Sequence, residues 1–274
     1  MTTKIHFLGM AGYEIISDRH RILIDPFLGD SPHAPMRHEE LERPDVILVT
    51  HAAYDHLGDT AAIAARAGAP VVCGGDVKAV LLEAGIPEAQ IHPTVWGIVV
   101  EVGGVIVRPV ESHHWSQTRL KNGQYVSGVP MGFIVEPEPG VRIYHCGDTA
   151  IFGDMKLIAQ LYKPTVGLMG CANSQALLAR ANFAGKLLTG EMSPYEAALA
   201  SEFLGLKLAI ASHYLDLTNE TERGEVEQFL AAVPECDTTG ARQAMYMEVG
   251  ETIELNGDSV LVRRGVDRDA AHGV

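Results

Sequence analysis

The sequence predicts an α/β protein, and three features of the chain carry that prediction. Short runs rich in β-branched and aliphatic residues recur along it, several bounded by Gly, Pro or Asp, which is how buried strands read. Between them lie stretches with apolar residues at helical spacing, the alternation expected of sheets covered by helices. No internal linker divides the 274 residues, so one domain over residues 1–265 is expected, with a polar tail at 266–274 expected to fray.

In chain order, strands are expected at Lys4 to Leu8, Arg21 to Ile24, Val46 to Val49 and Val71 to Cys73. Further strands are expected at Val105 to Val110, Met131 to Val135, Arg142 to His145, Val166 to Met169 and Leu208 to Ala211. Helices are expected at the Ala-rich Thr60 to Ala67, at Val77 to Ala84 with Asp76 as N-cap, and at Asp154 to Leu161. Pro194 to Phe203 follows Ser193 and carries Glu196 three residues on, a capping box with Pro at the first helical position. Glu225 to Val233 reads as a last helix. The segment from Cys171 to Gly190 reads as a helix plus a loop, an insertion flanking the active site.

Composition narrows the function. The hydrophobic fraction of 47% is ample for a sizeable core. A formal net charge of -14 repels phosphate backbones, so no nucleic-acid partner is expected. None of the four cysteines, Cys73, Cys146, Cys171 and Cys236, pair at C-x-x-C spacing, which disfavours a zinc ribbon or thioredoxin-like motif; buried reduced thiols are expected. The opening MTTKIHFLGMAGYEII lacks the pattern of a signal peptide, and no stretch approaches the roughly 18 apolar residues of a membrane span. A cytoplasmic protein with no membrane partner is expected.

The chemistry is written at strand ends. Val46-Ile-Leu-Val-Thr50 stops, and His51, Asp55 and His56 follow at once. Two imidazoles and a carboxylate are a set favoured by zinc and also used by manganese or iron. Alone the pattern is ambiguous, since polar residues often follow a strand as a turn and Asp55 could cap a helix. Three further strand ends strengthen it: His113-His114-Trp115 after one, Gly147-Asp148-Thr149 after another, and His213-Tyr214 after a fourth. A preorganised metal centre needs such groups held on rigid elements around a cleft.

The order of these motifs resembles the metallo-β-lactamase superfamily, in the branch containing ascorbate-6-phosphate lactonase and N-acyl-phosphatidylethanolamine phospholipase D. The likeness covers most of the chain, through ILIDPF at Ile22 to Phe27, DVILVTH at Asp45 to His51, DHLGD at Asp55 to Asp59, HHWS at His113 to Ser116, YHCGDT at Tyr144 to Thr149, FGDMKLI at Phe152 to Ile158, YKPTVGLM at Tyr162 to Met169, MSPYEAALA at Met192 to Ala200 and SHY at Ser212 to Tyr214. It implies an αββα four-layer sandwich with metals at one edge, between two sheets. It also implies that His51 and His114 serve one metal, Asp55, His56 and His213 the other, and that Asp148 bridges the two. His113 takes the place of His114 if the register is off by one.

Three departures qualify the resemblance. Ala53 stands where the family's H-x-H-x-D-H motif has its second His. The second site therefore keeps its full set and the first is weakened, so one tight divalent metal, zinc or manganese, is expected, with a second site left open; His113 or Tyr54 could replace the lost ligand. Glu191 stands where related members have a His; it reads first as a solvated carboxylate near a helix start, and otherwise as a replacement ligand or an acid/base. Met10 stands where relatives often have a His, and could border the pocket.

The expected function is metal-dependent hydrolysis of a small ester, lactone or cyclic amide. Asp55 would orient the nucleophile and His113 or a metal would stabilise the oxyanion. Lys121, Arg119 and Arg180 are scattered cations that do not form an anion clamp. One alternative is a phosphodiesterase of the same fold. The other is a non-catalytic metal-binding or sensory module, as the losses at positions 53 and 191 would allow. The partner expected is a small-molecule substrate, and self-association is possible among relatives of this kind.

Overall fold

A computed structural model describes residues 2–180, 187–256 and 262–265. The strands are β1 (Thr2–Gly9), β2 (Gly12–Ile16), β3 (Arg21–Ile24), β4 (Val46–Leu48), β5 (Val71–Cys73), β6 (Ile91–Pro93), β7 (Val100–Val102), β8 (Val105–Glu111), β9 (Ser116–Arg119), β10 (Tyr125–Gly128), β11 (Met131–Glu138), β12 (Val141–His145), β13 (Val166–Gly170), β14 (Leu208–Ser212), β15 (Gln243–Met245), β16 (Thr252–Asn256) and β17 (Val262–Gly265). The helices are α1 (Tyr54–Leu57), α2 (Thr60–Ala67), α3 (Gly75–Glu83), α4 (Met155–Tyr162), α5 (Gln175–Leu178), α6 (Pro194–Phe203) and α7 (Glu220–Cys236).

The strands form two main sheets. One runs β17-β16-β1-β2-β3-β4-β5-β6, the other β15-β14-β13-β12-β11-β8-β7, and β9 and β10 make a separate hairpin. Side chains alternate across the first sheet as the two-residue period of a strand demands. Ile22, Ile24, Val46, Leu48 and Val72 face the second sheet, within a core shared with Val107, Phe133, Ile143 and Leu168. Leu23, Ile47, Val71 and Cys73 face outward onto Ile63 and Ala64 of α2 and Val77 and Leu81 of α3. On the far side, Met155 and Ile158 of α4, the alanines of α6, and Val226 and Phe229 of α7 cover the second sheet. The result is the four-layer αββα arrangement.

Strand directions decide where the site can form. β3 to β6 pair in parallel in the first sheet, and β12 to β15 in the second. β8 is antiparallel to β11, which is antiparallel to β12, so β8 runs with β12. The carboxyl ends of β8, β12 and β14 therefore open on one edge of the second sheet, where the carboxyl end of β4 in the first sheet meets them.

Each expected strand is present, some longer by one to three residues and β4 one residue shorter, ending at Leu48. The expectation omitted β2, β6, β7, β9, β10, β15, β16 and β17. These are mostly short or carry polar residues at alternate positions, so they lack a continuous apolar run. The Ser193 capping box is formed: Ser193 Oγ accepts from the Glu196 amide at 3.4 Å and Glu196 Oε2 accepts from the Ser193 amide at 2.8 Å. Asp76 is not an N-cap. The cap position belongs to Gly74, and Asp76 turns inward from the first turn of α3 to bond a buried hydroxyl. The last helix begins at Glu220, not Glu225, because Asn219 caps it. Cys73, Cys146 and Cys171 are buried free thiols, while Cys236 is only partly covered. Among the described residues, no helix is long and apolar enough to cross a membrane. The tail at 266–274, and part of the expected insertion, lie outside the described residues.

Candidate metal centre

The loop after β4 presents His51, then α1 presents Asp55 and His56. Thr50 begins this loop and is tied down before the histidines arrive. Its amide donates to Asp25 Oδ1 at 2.8 Å and its hydroxyl to Asp25 Oδ2 at 2.7 Å. Asp25, fully buried at the end of β3, also sits 2.8 Å from His56 Nδ1. That contact leaves Nε2 of His56 free to face the cleft. Asp25 adopts a left-handed backbone with φ 43°, uncommon outside glycine but tolerated by Asp and Asn.

Asp148 follows β12 through a turn at Gly147. Gly147 has φ 57°, and a Cβ there would lie 2.9 Å from Thr50 Cβ, so the turn requires glycine. His145 fixes the same turn. Its Nδ1 accepts from the Gly147 amide at 3.0 Å and its Nε2–H donates to the Ala11 carbonyl at 2.7 Å, the bonds of a neutral ring. Burial, first of all, lowers its pKa, which agrees. The loop after β8 is stitched to this turn, with Ser112 Oγ donating to the Asp148 carbonyl at 2.6 Å and the His113 amide to Thr149 Oγ1 at 2.8 Å.

His213 follows β14 with φ 68°. Its amide donates to the Met10 carbonyl at 2.8 Å, and the Met10 amide to the Tyr214 carbonyl at 2.9 Å. Met10 therefore braces the backbone of His213. It does not border a pocket, because its side chain is fully buried against Phe27 and Leu215. A strained backbone of this kind costs on the order of 1–3 kcal/mol and persists only where surrounding bonds enforce it.

Asp148 divides the group in two. Its Oδ1 lies 3.1 Å from His56 Nε2 and 3.2 Å from His213 Nε2. Its Oδ2 lies 3.8 Å from both His51 Nε2 and His114 Nε2. Asp55 Oδ2 completes the first half, 3.9 Å from His56 Nε2 and 3.8 Å from His213 Nε2. Ligand atoms of Asp55, His56 and His213 all lie within 4.8 Å of one another, as do those of His51, His56 and Asp148. The buried Nε2 atoms of His51, His56 and His213, and Oδ1 of Asp148, have no hydrogen-bond partner. Buried polar atoms are almost always paired. Imidazole nitrogens and carboxylate oxygens that converge without partners fit a divalent cation.

The electrostatics agree with this division. Burial would lower the pKa of His56, but Asp148 and Asp25 outweigh it and hold the ring well above its usual value. Burial likewise opposes protonation of His213, yet Asp148 and Glu191 raise it to about 10. Asp148 is held well below the carboxylate range against its own burial, by His213 and His56. His51 and His114 are lowered, chiefly by burial.

Two expectations need correction. His113 does not join the group. Its ring stacks on Phe152 at 4.4 Å, its Nε2 lies 2.9 Å from Glu111, and it is about half exposed, so it does not replace the lost ligand. His114 is the member of the pair that faces Asp148. Glu191 is not a solvated carboxylate. It is buried, and Oε1 lies against His213 Nδ1, the nitrogen that is also 3.0 Å from the Ala172 carbonyl. Burial pushes its pKa up to about 8, against the pull of His213. Tyr54, the other suggested substitute, lies half exposed at the rim with the Arg180 guanidinium 5.7 Å from its ring centre.

Asp25, Thr50 and His145 were missed as members of the site. Asp25 carried a visible signal, a carboxylate at a strand end inside ILIDPF; the other two carried none, since a Thr or His beside a strand is ordinary.

Residues 20–214 match the model of the β-lactamase superfamily domain. A protein of Methanosarcina mazei named UPF0173 metal-dependent hydrolase is 33% identical over 253 residues, covering 92% of this chain and 98% of its own. One of the same name from Rubrobacter xylanophilus is 36% identical over 214 residues, covering 77% of this chain and 81% of its own. Among solved structures, the metallo hydrolase Igni18 from Ignicoccus hospitalis superposes with a TM-score of 0.72 at 24% identity, over 93% of this chain and 99% of that one.

Proposed function

This chain belongs to the β-lactamase superfamily, among the UPF0173 metal-dependent hydrolases, and on that premise we propose that it hydrolyses a small ester, lactone or cyclic amide at a divalent-metal centre built on Asp148. The observation that carries the reading is the division of Asp148, one oxygen toward His56 and His213 and the other toward His51 and His114. A carboxylate that serves two sets of imidazoles can bridge two ions. The set around Oδ1 also has Asp55 and is the better supplied, so one tight zinc or manganese site, with a weaker neighbour, fits the donor count.

A divalent ion held there would bring the pKa of a bound water down to about 7 and polarise a substrate oxygen. The chain's own residues do the rest. Asp55 Oδ2, beside both His56 and His213, can hold the attacking water's proton through a hydrogen bond and aim its lone pair. Asp25 fixes His56 by its Nδ1, and Glu191 and the Ala172 carbonyl fix His213 by its Nδ1. Glu191 thus sits behind an imidazole, and we read it as a positioning residue. The half-exposed Trp115, next to His114, offers an apolar rim for a small organic substrate. The HHWS run supports placing the chain near the lactonase and phospholipase branch of the superfamily.

The test is metal analysis beside a substrate panel: a generic ester, a set of lactones, a cyclic amide and bis-nitrophenyl phosphate. Asp148→Ala is expected to lose bound metal and turnover together. A variant with full metal content would overturn the centre, and turnover confined to the phosphodiester would replace the substrate class with the phosphodiesterase reading.

A further inference from the structure

A buried carboxyl in α3 is linked through one serine to the two segments that carry His51 and His114. The Ala52 amide donates to Ser116 Oγ at 3.0 Å, and Ser116 Oγ donates to Asp76 Oδ2. Ala52, Ser116 and Asp76 are 4%, 5% and 2% exposed, so no water competes for these bonds. The direction of the chain is settled by chemistry. A serine hydroxyl has one proton; given to Asp76, it leaves only lone pairs to receive the Ala52 amide. Ala52 immediately follows His51, and Ser116 lies two residues after His114.

The packing around Asp76 is built to admit it. A Cβ at Gly128, the last residue of β10, would overlap the Asp76 carboxyl, and one at Gly74 would lie 2.8 Å from Oδ1. The main chain thus closes on the carboxyl from two sides. His51 and His114 have ring centres 5.1 Å apart and reach the same oxygen of Asp148. This is the half of the centre that has Ala53 where a third imidazole would stand. With few ligands, its affinity depends on how well those two rings are held.

We propose that Asp76, acting through Ser116, is a positioning residue that locks the His51 loop to the His114 loop and so sets the metal affinity of that half of the centre. The proposal rests on the metal-hydrolase reading above. It is tested on the full chain by zinc titration against a competing chelator, with S116A, D76A and D76N each made alone and together with H114A. S116A and D76A are expected to weaken the zinc equivalent that H114A also weakens by about tenfold. In the H114A background the same changes are expected to cost less than about twofold, because the ring they position is gone. D76N, whose amide oxygen can still accept from Ser116, is expected to recover most of the loss. Equal losses in both backgrounds, no loss in the parent, or indifference of zinc binding to H114A would overturn the proposal alone. A parent chain that takes up no zinc would overturn the metal reading, and this proposal with it.

Discussion

Asp25 shows how much of the site lies one bond away from its ligands. Its two oxygens hold the Thr50 amide, the Thr50 hydroxyl and His56 Nδ1. Asp25→Ala removes all three and is expected to weaken metal binding by about 10–100-fold, read by zinc titration; Asp25→Asn, which suits the same left-handed backbone, is expected to lose less. Glu191 and His213 contribute to the pH response of the metal-free chain. Both have raised pKa values when folded, from 4.5 to about 8 and from 6.5 to about 10. A group with a raised folded pKa binds its proton more tightly in the native state. Its contribution is full below the unfolded value and is lost as pH rises through the folded one. The contribution of these two groups is therefore expected to fall between about pH 5 and pH 10, against an opposite slope below about pH 6.5 from His51, His114 and His145, whose pKa values burial lowers. Glu191→Gln is expected to flatten that fall, as urea denaturation across the range would reveal; an unchanged slope would contradict the pairing of Glu191 with His213.

At the scale of elements, the site is a set of strand ends, and the turns after them carry the burden. The turn between β12 and Asp148 is closely packed, since Gly147 is both left-handed and in contact with Thr50. Gly147→Ala is expected to cost about 1–2 kcal/mol for its backbone and about 1–3 kcal/mol more for crowding Thr50. Because the displaced residue is next to Asp148, metal content should fall with stability; calorimetry and metal analysis on the same sample would check both. The elements themselves were legible in unequal measure. β3, β5 and α6 are continuous apolar or capped segments, and their boundaries could be read directly. β2, β7, β9 and β10 pair with strands next to them in the chain, but each is short and broken by polar or glycine residues, so no continuous apolar run announces them.

The whole molecule brings together four strand ends from two sheets, so the cation and the fold should depend on each other. Removal of metal by a chelator is expected to lower the melting temperature. Restoring zinc to about 100 times its dissociation constant should return about 2.7 kcal/mol of stability, measured as a melting shift that Asp148→Ala does not show. The ligand types were readable in the chain because several apolar runs each stop at a His or Asp: His51, Asp148 and His213 follow strands, and Asp55 and His56 come just after His51 in α1. Two choices needed the folded chain. His114 and not His113 turns to Asp148, because the Ser112 hydroxyl and the His113 amide are bonded to the Asp148–Thr149 turn and Phe152 takes the His113 ring. Glu191 is buried behind His213 instead of facing solvent, because Gly170 at the end of β13 has no side chain and leaves room for the carboxyl beside His213. Sequence alone determined the α/β class and the inventory of groups, since both are written in local periodicity and residue type. Tertiary structure alone decided which of those groups meet, since the direction of a side chain is settled by packing and hydrogen bonds from residues well separated in the chain, 36 positions for the Ser112–Asp148 bond, which no local pattern encodes.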